Sequence, residues 1–320
     1  MRNSLSFFTV VILLLAGACN SEDKKTADVP AKDSAVATEP APLDTSAFSV
    51  PVDTTKTEAP VAFSFNLPKG TAYSYTMTLD ATNQSEGRKM GTGMNWNYNL
   101  NVVDDKNKVK TVKVTYKRID MSMDMGMGGQ KLEFSSEKKV EESDFMQMPS
   151  RMFGVIKGKS FTMKVNDRGE IIAVEGFDKI GEAIVAEMKV PDAQKTMMLQ
   201  NFKQQFNDKA AKEMFSQAFE IFPGKPVKVG DSWKKTSTPI GGDDMSSVTT
   251  YTVRNIAGGK VYLDVNSKID TGDEGSAGSQ TGKMVVDAAT GLVQDASLTN
   301  KITGAKRNIT TKTRIQGKRV

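Results

Sequence analysis

The sequence predicts an α+β protein, mostly antiparallel β, in which two related curved, half-barrel-like sheets flank a central helical segment. Three observations predict this fold class. Long stretches on both sides of the middle alternate apolar and polar residues with period two, which is typical of half-buried antiparallel strands. The middle of the chain has helical spacing instead. Short blocks of the first β region also recur, in the same order, in the second.

Residues 1–18 predict a secretory signal peptide. Arg2 gives the segment a positive start, and a mainly apolar stretch runs from Leu5 to Leu15. An apolar core of this length is too short for a transmembrane span of ~20 residues, and it is followed by the small residues 16–18 that are typical of a cleavage site.

The segment that ends at Cys19 resembles the bacterial lipobox. The resemblance implies that the chain is cut before Cys19 and that its thiol is acylated. Cys19 is the single cysteine of the chain, and an acylated thiol avoids the problem of a free one in an oxidising compartment. Asn20, rather than aspartate, follows it, which by resemblance to other Gram-negative lipoproteins implies the outer membrane. Whether the anchor faces the periplasm or the cell surface stays open, and the alternative is an ordinary cleaved signal with an incidental cysteine.

Residues 19–60 predict the lipidated cysteine followed by a disordered tether. Residues 20–60 contain four lysines and eight acidic residues, and Leu43 and Phe48 are their only leucine or aromatic side chains. Such a segment cannot bury enough apolar surface to offset the entropy lost on ordering.

Charge is distributed unevenly along the chain. Residues 61–320 carry 38 basic and 30 acidic residues, a net charge of +8, and six of the basic residues fall in the last 16 positions, where there is no acid. This pattern predicts a solvated, positively charged tail, and a basic face of this kind can also rest on anionic headgroups. Nucleic acid is not an expected partner for an exported lipoprotein.

Residues 61–320 predict one β-rich domain in three parts. In the first β unit, residues 61–175, apolar side chains alternate with Ser, Thr, Asn and Lys around Tyr75, Tyr98 and Val114. The helical segment, residues 176–222, predicts helices over 178–189, 192–207 and 208–222, and a shorter helix is expected over 144–156. The second β unit covers residues 223–320.

The two β units resemble each other in three blocks. KGTAY at 69–73 matches VGDSW at 229–233, the stretch ending at Asp120 matches the stretch ending at Asp270, and GKSFTMKVNDRGEI matches GKMVVDAATGLV. In the third pair, each block reads as a strand, a tight turn with glycine and a returning strand. We interpret the units as two versions of one curved β structure.

Three further stretches resemble a known family: GKSFTMKVNDRGEIIAVEGFD, FPGKPVKVGDSWKK and TGKMVVDAATGLV. They are similar to uncharacterised Bacteroidota lipoproteins that share a domain of unknown function, and the likeness covers residues 61–304. It implies no activity. The hairpins VNDRGEI and VDAATGLV also look like those of lipoprotein-carrier folds, in which a curved antiparallel sheet wraps helices around an apolar cavity.

The composition argues against an enzyme. The chain has no histidine, which removes histidine bases, Ser-His-Asp triads and imidazole metal ligands, and lipidation of Cys19 would consume the only thiol. No nucleophile-elbow, P-loop or zinc-protease motif is present. We therefore expect no catalytic residues, no cofactor and no metal site.

Methionine is the remaining unusual feature, at 121, 123, 125 and 127 with small or polar residues between. Three interpretations stay open, in this order: a plain core strand, a plastic apolar pocket, and a thioether copper(I) site. The sequence thus predicts a non-enzymatic module that binds an apolar or lipid-like ligand. Its candidate pocket residues are Trp96, Tyr98, Met121, Met123 and Met125. The alternative is a structural or interaction protein of the cell envelope with a filled core. The membrane, through the anchor, is the one partner expected in both cases.

Overall fold

The computed structural model describes residues 48, 59–85, 88–124, 126, 131–141, 145–187, 191–205, 208, 211, 212, 215, 219, 221–237, 246–272, 274–304 and 307–320. The predicted signal peptide, Cys19, Met125 and most of the predicted tether lie outside these residues.

The described strands form one antiparallel sheet of 12 strands. Their bounds are β1 (Ala72–Ser85), β2 (Arg88–Lys106), β3 (Val109–Asp124), β4 (Lys131–Ser135), β5 (Ser160–Asn166), β6 (Ile171–Glu175), β7 (Ser232–Ser237), β8 (Ser246–Ala257), β9 (Lys260–Asp270), β10 (Ala277–Asp287), β11 (Val293–Thr303) and β12 (Arg307–Arg319). The order across the sheet is β6-β5-β3-β2-β1-β12-β11-β10-β9-β8-β7, and β4 pairs with β3 outside this path.

The prediction of two sheets was wrong, because β12 joins the two β units into one. All 13 residues of β12 pair with β1, from Tyr73 opposite Arg319 to Ser85 opposite Arg307, and its other edge pairs with β11. The basic stretch at residues 307–319 is therefore a strand of the sheet rather than a free tail, while its Lys312, Lys318 and Arg319 side chains are exposed, as expected. Ile309 and Ile315, with threonines between them, give β12 a face that fits a half-buried strand.

The strand order nevertheless repeats. The order β6-β5-β3-β2-β1 of the first β unit recurs as β11-β10-β9-β8-β7 in the second, in the same direction across the sheet. This is the order in which the three matched sequence blocks occur, and β12 fills the place between the two copies.

Among the described residues, three α-helices have defined bounds: α1 (Met148–Ile156), which follows a short 3₁₀ turn at Phe145–Gln147, α2 (Asp178–Glu187) and α3 (Asp192–Gln205). Helices α2 and α3 begin at the predicted residues, Asp178 and Asp192, whereas α1 begins four residues after the predicted start at 144. Of the predicted helix at 208–222, the described residues 208, 211, 212, 215 and 219 are helical. No helix within the described residues is long and apolar enough to cross a membrane.

The sheet is strongly curved. The backbone nitrogen of Phe65 donates to the carbonyl of Asp167 in the β5–β6 turn (3.1 Å), and that of Asn66 donates to the carbonyl of Thr290 in the β10–β11 turn (3.0 Å). In a flat sheet β6 and β11 would stand ~29 Å apart, at ~4.8 Å for each of six strand spacings. Because consecutive residues contact both turns, the sheet must curl so that these turns approach each other. We call this end of the strands the turn end, and the opposite end the rim end.

The inner face of the curve carries the main hydrophobic core. Phe161 on β5 contacts Phe177 and Phe215 from the helical segment, with ring centroids 5.3 Å and 5.2 Å apart. Ile180 and Ile184 of α2 belong to the same core. Among the side chains buried there are Val112, Val114, Met163, Val253, Leu263, Val265, Met284 and Val286. Helix α2 and Phe177 therefore pack on the inner face against the main core.

Candidate functional site

Rows of side chains can be followed across the inner face, because residues paired in adjacent antiparallel strands point to the same side of a sheet. Four rows succeed one another from the turn end to the rim end. The first is the apolar row, Ile119, Trp96, Met77, Ile315, Ala296, Met284, Leu263 and Val253; next is the middle row, Met121, Met94, Leu79, Thr313, Leu298, Gly282, Val265, Tyr251 and Trp233. The third is the polar row, which begins at Met123 and continues through Thr92, Ala81, Thr311, Asn300, Gln280, Ser267, Thr249 and Lys235; the last is the rim row, Met90, Asn83, Ile309, Ile302, Gly278, Ile269, Ser247 and Ser237.

Tyr98, one of the predicted pocket residues, packs against the main core. Its ring stacks on Tyr75 with centroids 5.5 Å apart and planes 8° from parallel. The Tyr75 hydroxyl donates a hydrogen bond to the carbonyl of Val293 at 2.9 Å, which holds the Tyr75 ring in place. Burial raises the pKa of Tyr98 and of its neighbour Tyr116 above the ordinary tyrosine value. These phenols therefore stay neutral and act as packing groups.

Met121 and Met123 fill a second, smaller core. They are 3% and 9% exposed and pack with Ile119, Phe134 and Phe153. Polar contacts hold the covering elements in place. The Ser136 hydroxyl accepts a hydrogen bond from the backbone nitrogen of Ile119 (3.0 Å), and the Ser150 hydroxyl accepts one from Ser135 (3.0 Å). The thioethers of β3 are thus surrounded by hydrocarbon from β4 and α1.

Trp96 is placed differently from these residues. It lies on the edge of the small core, half-buried, and Met94 next to it on β2 is also only partly buried. Met77 on β1 pairs with Trp96 and is partly exposed as well. We call Met77, Met94 and Trp96 the apolar strip. Of the predicted pocket residues in the described chain, Trp96 is the one that the structure places on this strip.

The polar row was missed by sequence reasoning. The hydroxyls of Thr249 and Ser267 lie 2.8 Å apart, and the Ser267 hydroxyl donates to Oε1 of Gln280 at 3.1 Å. A signal was present: Asn300 interrupts the inward alternation Ala296, Leu298, Ile302 on β11. Its meaning depends on the strand registers, which place these polar residues side by side.

Two amide oxygens near this row have no hydrogen-bond partner. Oδ1 of Asn300, in the polar row, and Oδ1 of Asn83, in the rim row, are buried and unpaired, as are those of Asn95 and Asn97 on the outer face of β2. Buried polar groups in folded proteins nearly always have a partner, so an unpaired amide is a feature that needs a cause.

One end of the polar row carries a cation, Lys235 on β7. A hydrogen bond from Asn166, together with the charges of Arg168 and, to a smaller extent, Lys235, lowers the pKa of the Glu170 carboxyl. The ion-pair partner of this carboxylate is Arg168, whose Nη2 lies 3.0 Å from its Oε2. The described residues contain no group of three His, Cys, Asp or Glu side chains suited to a metal ion.

These features define a class: a single-sheet α+β protein with a packed turn end and an inner face that carries apolar and polar rows towards the rim. A family of unknown function (DUF6263) matches residues 107–293, so the chain belongs to this family. No curated protein matches the sequence.

Solved structures give distant likenesses. A lipovitellin structure, described under lipid–protein interactions, has a TM-score of 0.47 and 9% identity, and covers 79% of this chain and 25% of its own. An outer membrane channel from Pseudomonas putida F1 has a TM-score of 0.25 and 7% identity, covering 79% of this chain and 97% of its own. Ail, the attachment invasion locus protein of Yersinia pestis, has a TM-score of 0.16 and 7% identity, covering 79% of this chain and 100% of its own. The chain spans a quarter of the lipovitellin chain that it matches.

Proposed function

We propose that this protein is a Bacteroidota lipoprotein, anchored in the outer membrane through Cys19, whose domain binds an apolar or lipid-like molecule without catalysing a reaction. The address is supported by the signal peptide and the lipobox-like site in the sequence. The absence of histidine and of catalytic motifs supports a binding role over an enzyme.

One observation carries the binding proposal: the apolar strip. Nearer the turn end, inward side chains such as Val112 and Val114 are 0% and 1% exposed. Met77, Met94 and Trp96, on the same face but closer to the rim, remain partly exposed. Large apolar side chains on a concave surface are in contact with water, which is unfavourable. An apolar ligand that covers them would gain about 25 cal/mol of binding free energy for each Å² removed from water.

The alternative, a structural or interaction protein with a filled core, also has a specific observation in its favour. Met121 and Met123, which the sequence offers as pocket walls, are packed by this chain's own side chains. On that account the apolar strip would be the border of the small core and would take no ligand.

Binding of a fluorescent apolar dye, and its displacement by fatty acids, tests the proposal on the full chain with Cys19→Ser to prevent acylation. We expect Met77→Asp to weaken dye binding at least ~10-fold, because it places a charge on the apolar strip. Thr78→Asp, one residue on and on the opposite face of β1, is the matched control and should bind as the parent does. If Met77→Asp does not fold, Met94→Gln serves as the second inner-face variant. Equal dye binding by the inner-face and outer-face variants would overturn the proposal.

A further inference from the structure

The polar row lies between two more apolar rows. On β11, Leu298 and Ile302 flank Asn300, and on β9, Val265 and Ile269 flank Ser267. Successive inward positions on a strand are ~6.7 Å apart, so a polar band one residue wide has hydrocarbon on both sides. A ligand that crosses the inner face along the strands would meet an apolar, a polar and again an apolar surface.

Part of this row is satisfied by its own members and part is not. Thr249, Ser267 and Gln280 form a continuous hydrogen-bonded chain. Asn300 is the next residue in the row, directly opposite Gln280, and its Oδ1 is buried without a partner. An amide oxygen of this kind requires a donor, and leaving it unpaired is costly.

We propose that Asn300 is the recognition residue for a lipid-like ligand whose apolar chain carries a hydroxyl or an amide N–H group. The ligand donates this hydrogen to Oδ1 of Asn300 while its hydrocarbon covers Leu298 and Ile302. Asn83, whose Oδ1 is also unpaired two strands away, offers a second acceptor towards the rim. This inference rests on the proposed function, which it narrows from any apolar molecule to a chain with an internal donor.

The structure favours a neutral donor over an anionic headgroup at this position. A carboxylate or phosphate can only accept hydrogen bonds, so it cannot satisfy the acceptor of Asn300. The cation of the row, Lys235, stands four strands from Asn300, ~19 Å along the sheet at ~4.8 Å per strand.

A pair of fatty acids isolates the hydrogen bond. Ricinoleic acid and oleic acid differ only in the hydroxyl group that ricinoleic acid carries within its chain. Their dissociation constants would be measured on the full chain with Cys19→Ser. We expect ricinoleic acid to bind ~5-fold more tightly, the effect of one net hydrogen bond.

The variant Asn300→Leu should abolish this preference, bringing the ratio of the two dissociation constants to about one, while oleic acid still binds. Asn308→Leu, the same substitution at an exposed position of the adjacent strand β12, is the control and should keep the preference. Asn300→Ala, which also lacks the acceptor, replaces the leucine variant where that one does not fold.

The outcomes separate the two proposals. Equal affinities in the parent protein, or a preference that survives in the Asn300 variants, would overturn the role of Asn300 and leave the proposed function standing. Failure of both acids to bind would overturn the proposed function and this inference with it.

Discussion

At the residue scale, Gly317 shows how closely the inner face is fitted. A Cβ at this position would lie 2.7 Å from Cε1 of Tyr75 and 2.8 Å from the carbonyl oxygen of Val293. The Tyr75 ring crosses β12 at this glycine to reach that carbonyl on β11. The hydrogen bond therefore ties β1 to a strand that it does not pair with, and only glycine leaves room for it.

We expect Gly317→Ala to lower the free energy of unfolding by ~1–3 kcal/mol, because the methyl group overpacks the site. Urea unfolding measures the change. Gly91→Ala on β2 is the matched control, since its Cβ would meet nothing nearer than Cβ of Asp124 at 3.6 Å, and it should stay within about 0.5 kcal/mol of the parent. Equal stability of the two variants would contradict the crossing of Tyr75 over β12.

The buried tyrosines predict a loss of stability at high pH. Burial raises the pKa of Tyr75, Tyr98 and Tyr116 above the ordinary value near 10, and raises that of Tyr251 to about 12. These phenols lose their protons at a lower pH in the unfolded chain than in the folded protein, so their ionisation favours unfolding. Their contribution to the free energy of unfolding is fully present below about pH 10 and is lost as the pH rises above it.

Urea unfolding at a series of pH values between about 9 and 11 measures this slope. Tyr98→Phe keeps the ring that stacks on Tyr75 and removes one ionising group, so its unfolding free energy should fall less steeply with pH. An unchanged slope in this variant would show that Tyr98 titrates normally in the folded protein.

At the scale of an element, β12 decides the architecture. The sequence stretch RNITTKTRIQGKR has an inward face of isoleucine and threonine and an outward face of lysine, arginine and polar residues. The six basic residues at the end of the sequence favour the prediction of a charged tail, and the alternation of isoleucine and threonine with polar residues is a weaker signal. Its place between β1 and β11 becomes evident only once both partner strands are available.

The register of β12 predicts opposite outcomes for neighbouring substitutions. Ile315 packs against the main core, whereas Gln316 is exposed on the outer face. Ile315→Lys should destabilise the fold by ~2–4 kcal/mol because it directs a charge into the core, and Gln316→Lys should change stability by less than about 0.5 kcal/mol. Thermal unfolding compares the two. A larger effect at 316 than at 315 would show that the register is shifted by one residue.

A second element-scale feature is the docking of Phe48, which falls within the range predicted as a tether. Its side chain is 3% exposed and packs against Tyr262 and Val285 on the outer face. Nη2 of Arg254 donates to its carbonyl at 2.6 Å, and the Arg314 guanidinium lies 5.3 Å from its ring centroid. The chain is therefore held to the domain before residue 61.

Phe48→Ala should reduce the free energy of unfolding by ~2–3 kcal/mol, less than the ~3–5 kcal/mol of a central core phenylalanine, and should accelerate proteolysis of the protein. Phe48→Leu keeps the contact with Tyr262 and Val285 but not the ring, so an intermediate effect is expected. Proteolysis at the parent rate in Phe48→Ala would contradict the docking.

At the scale of the whole molecule, the parts of the fold with strong periodicity were predictable. Alternation around Tyr75, Tyr98 and Val114 and helical spacing after Asp178 and Asp192 lead to elements that the structure contains. The joining of the two β units was not predictable. It requires β12 to pair with β1, more than 200 residues earlier in the chain, and no local sequence pattern indicates such a pairing.

The candidate site was predictable only in part. Trp96 was expected on the inner face because large side chains recur at every second position of its strand. The polar row was not expected, because Asn300, Gln280 and Ser267 are single polar residues on three strands. They become neighbours only through the registers of those strands, and no local pattern encodes a register.

Whether the domain carries a lipid-like ligand can be measured by native mass spectrometry of the full chain with Cys19→Ser, purified without detergent. Solvent extraction of the same sample would identify any molecule that is bound. We expect a lipid-like species bound in a defined ratio, lost from Met77→Asp but retained by Thr78→Asp. A parent protein that carries no such species, and gains none when lipid extract is added, would contradict ligand binding and favour a protein with a filled core.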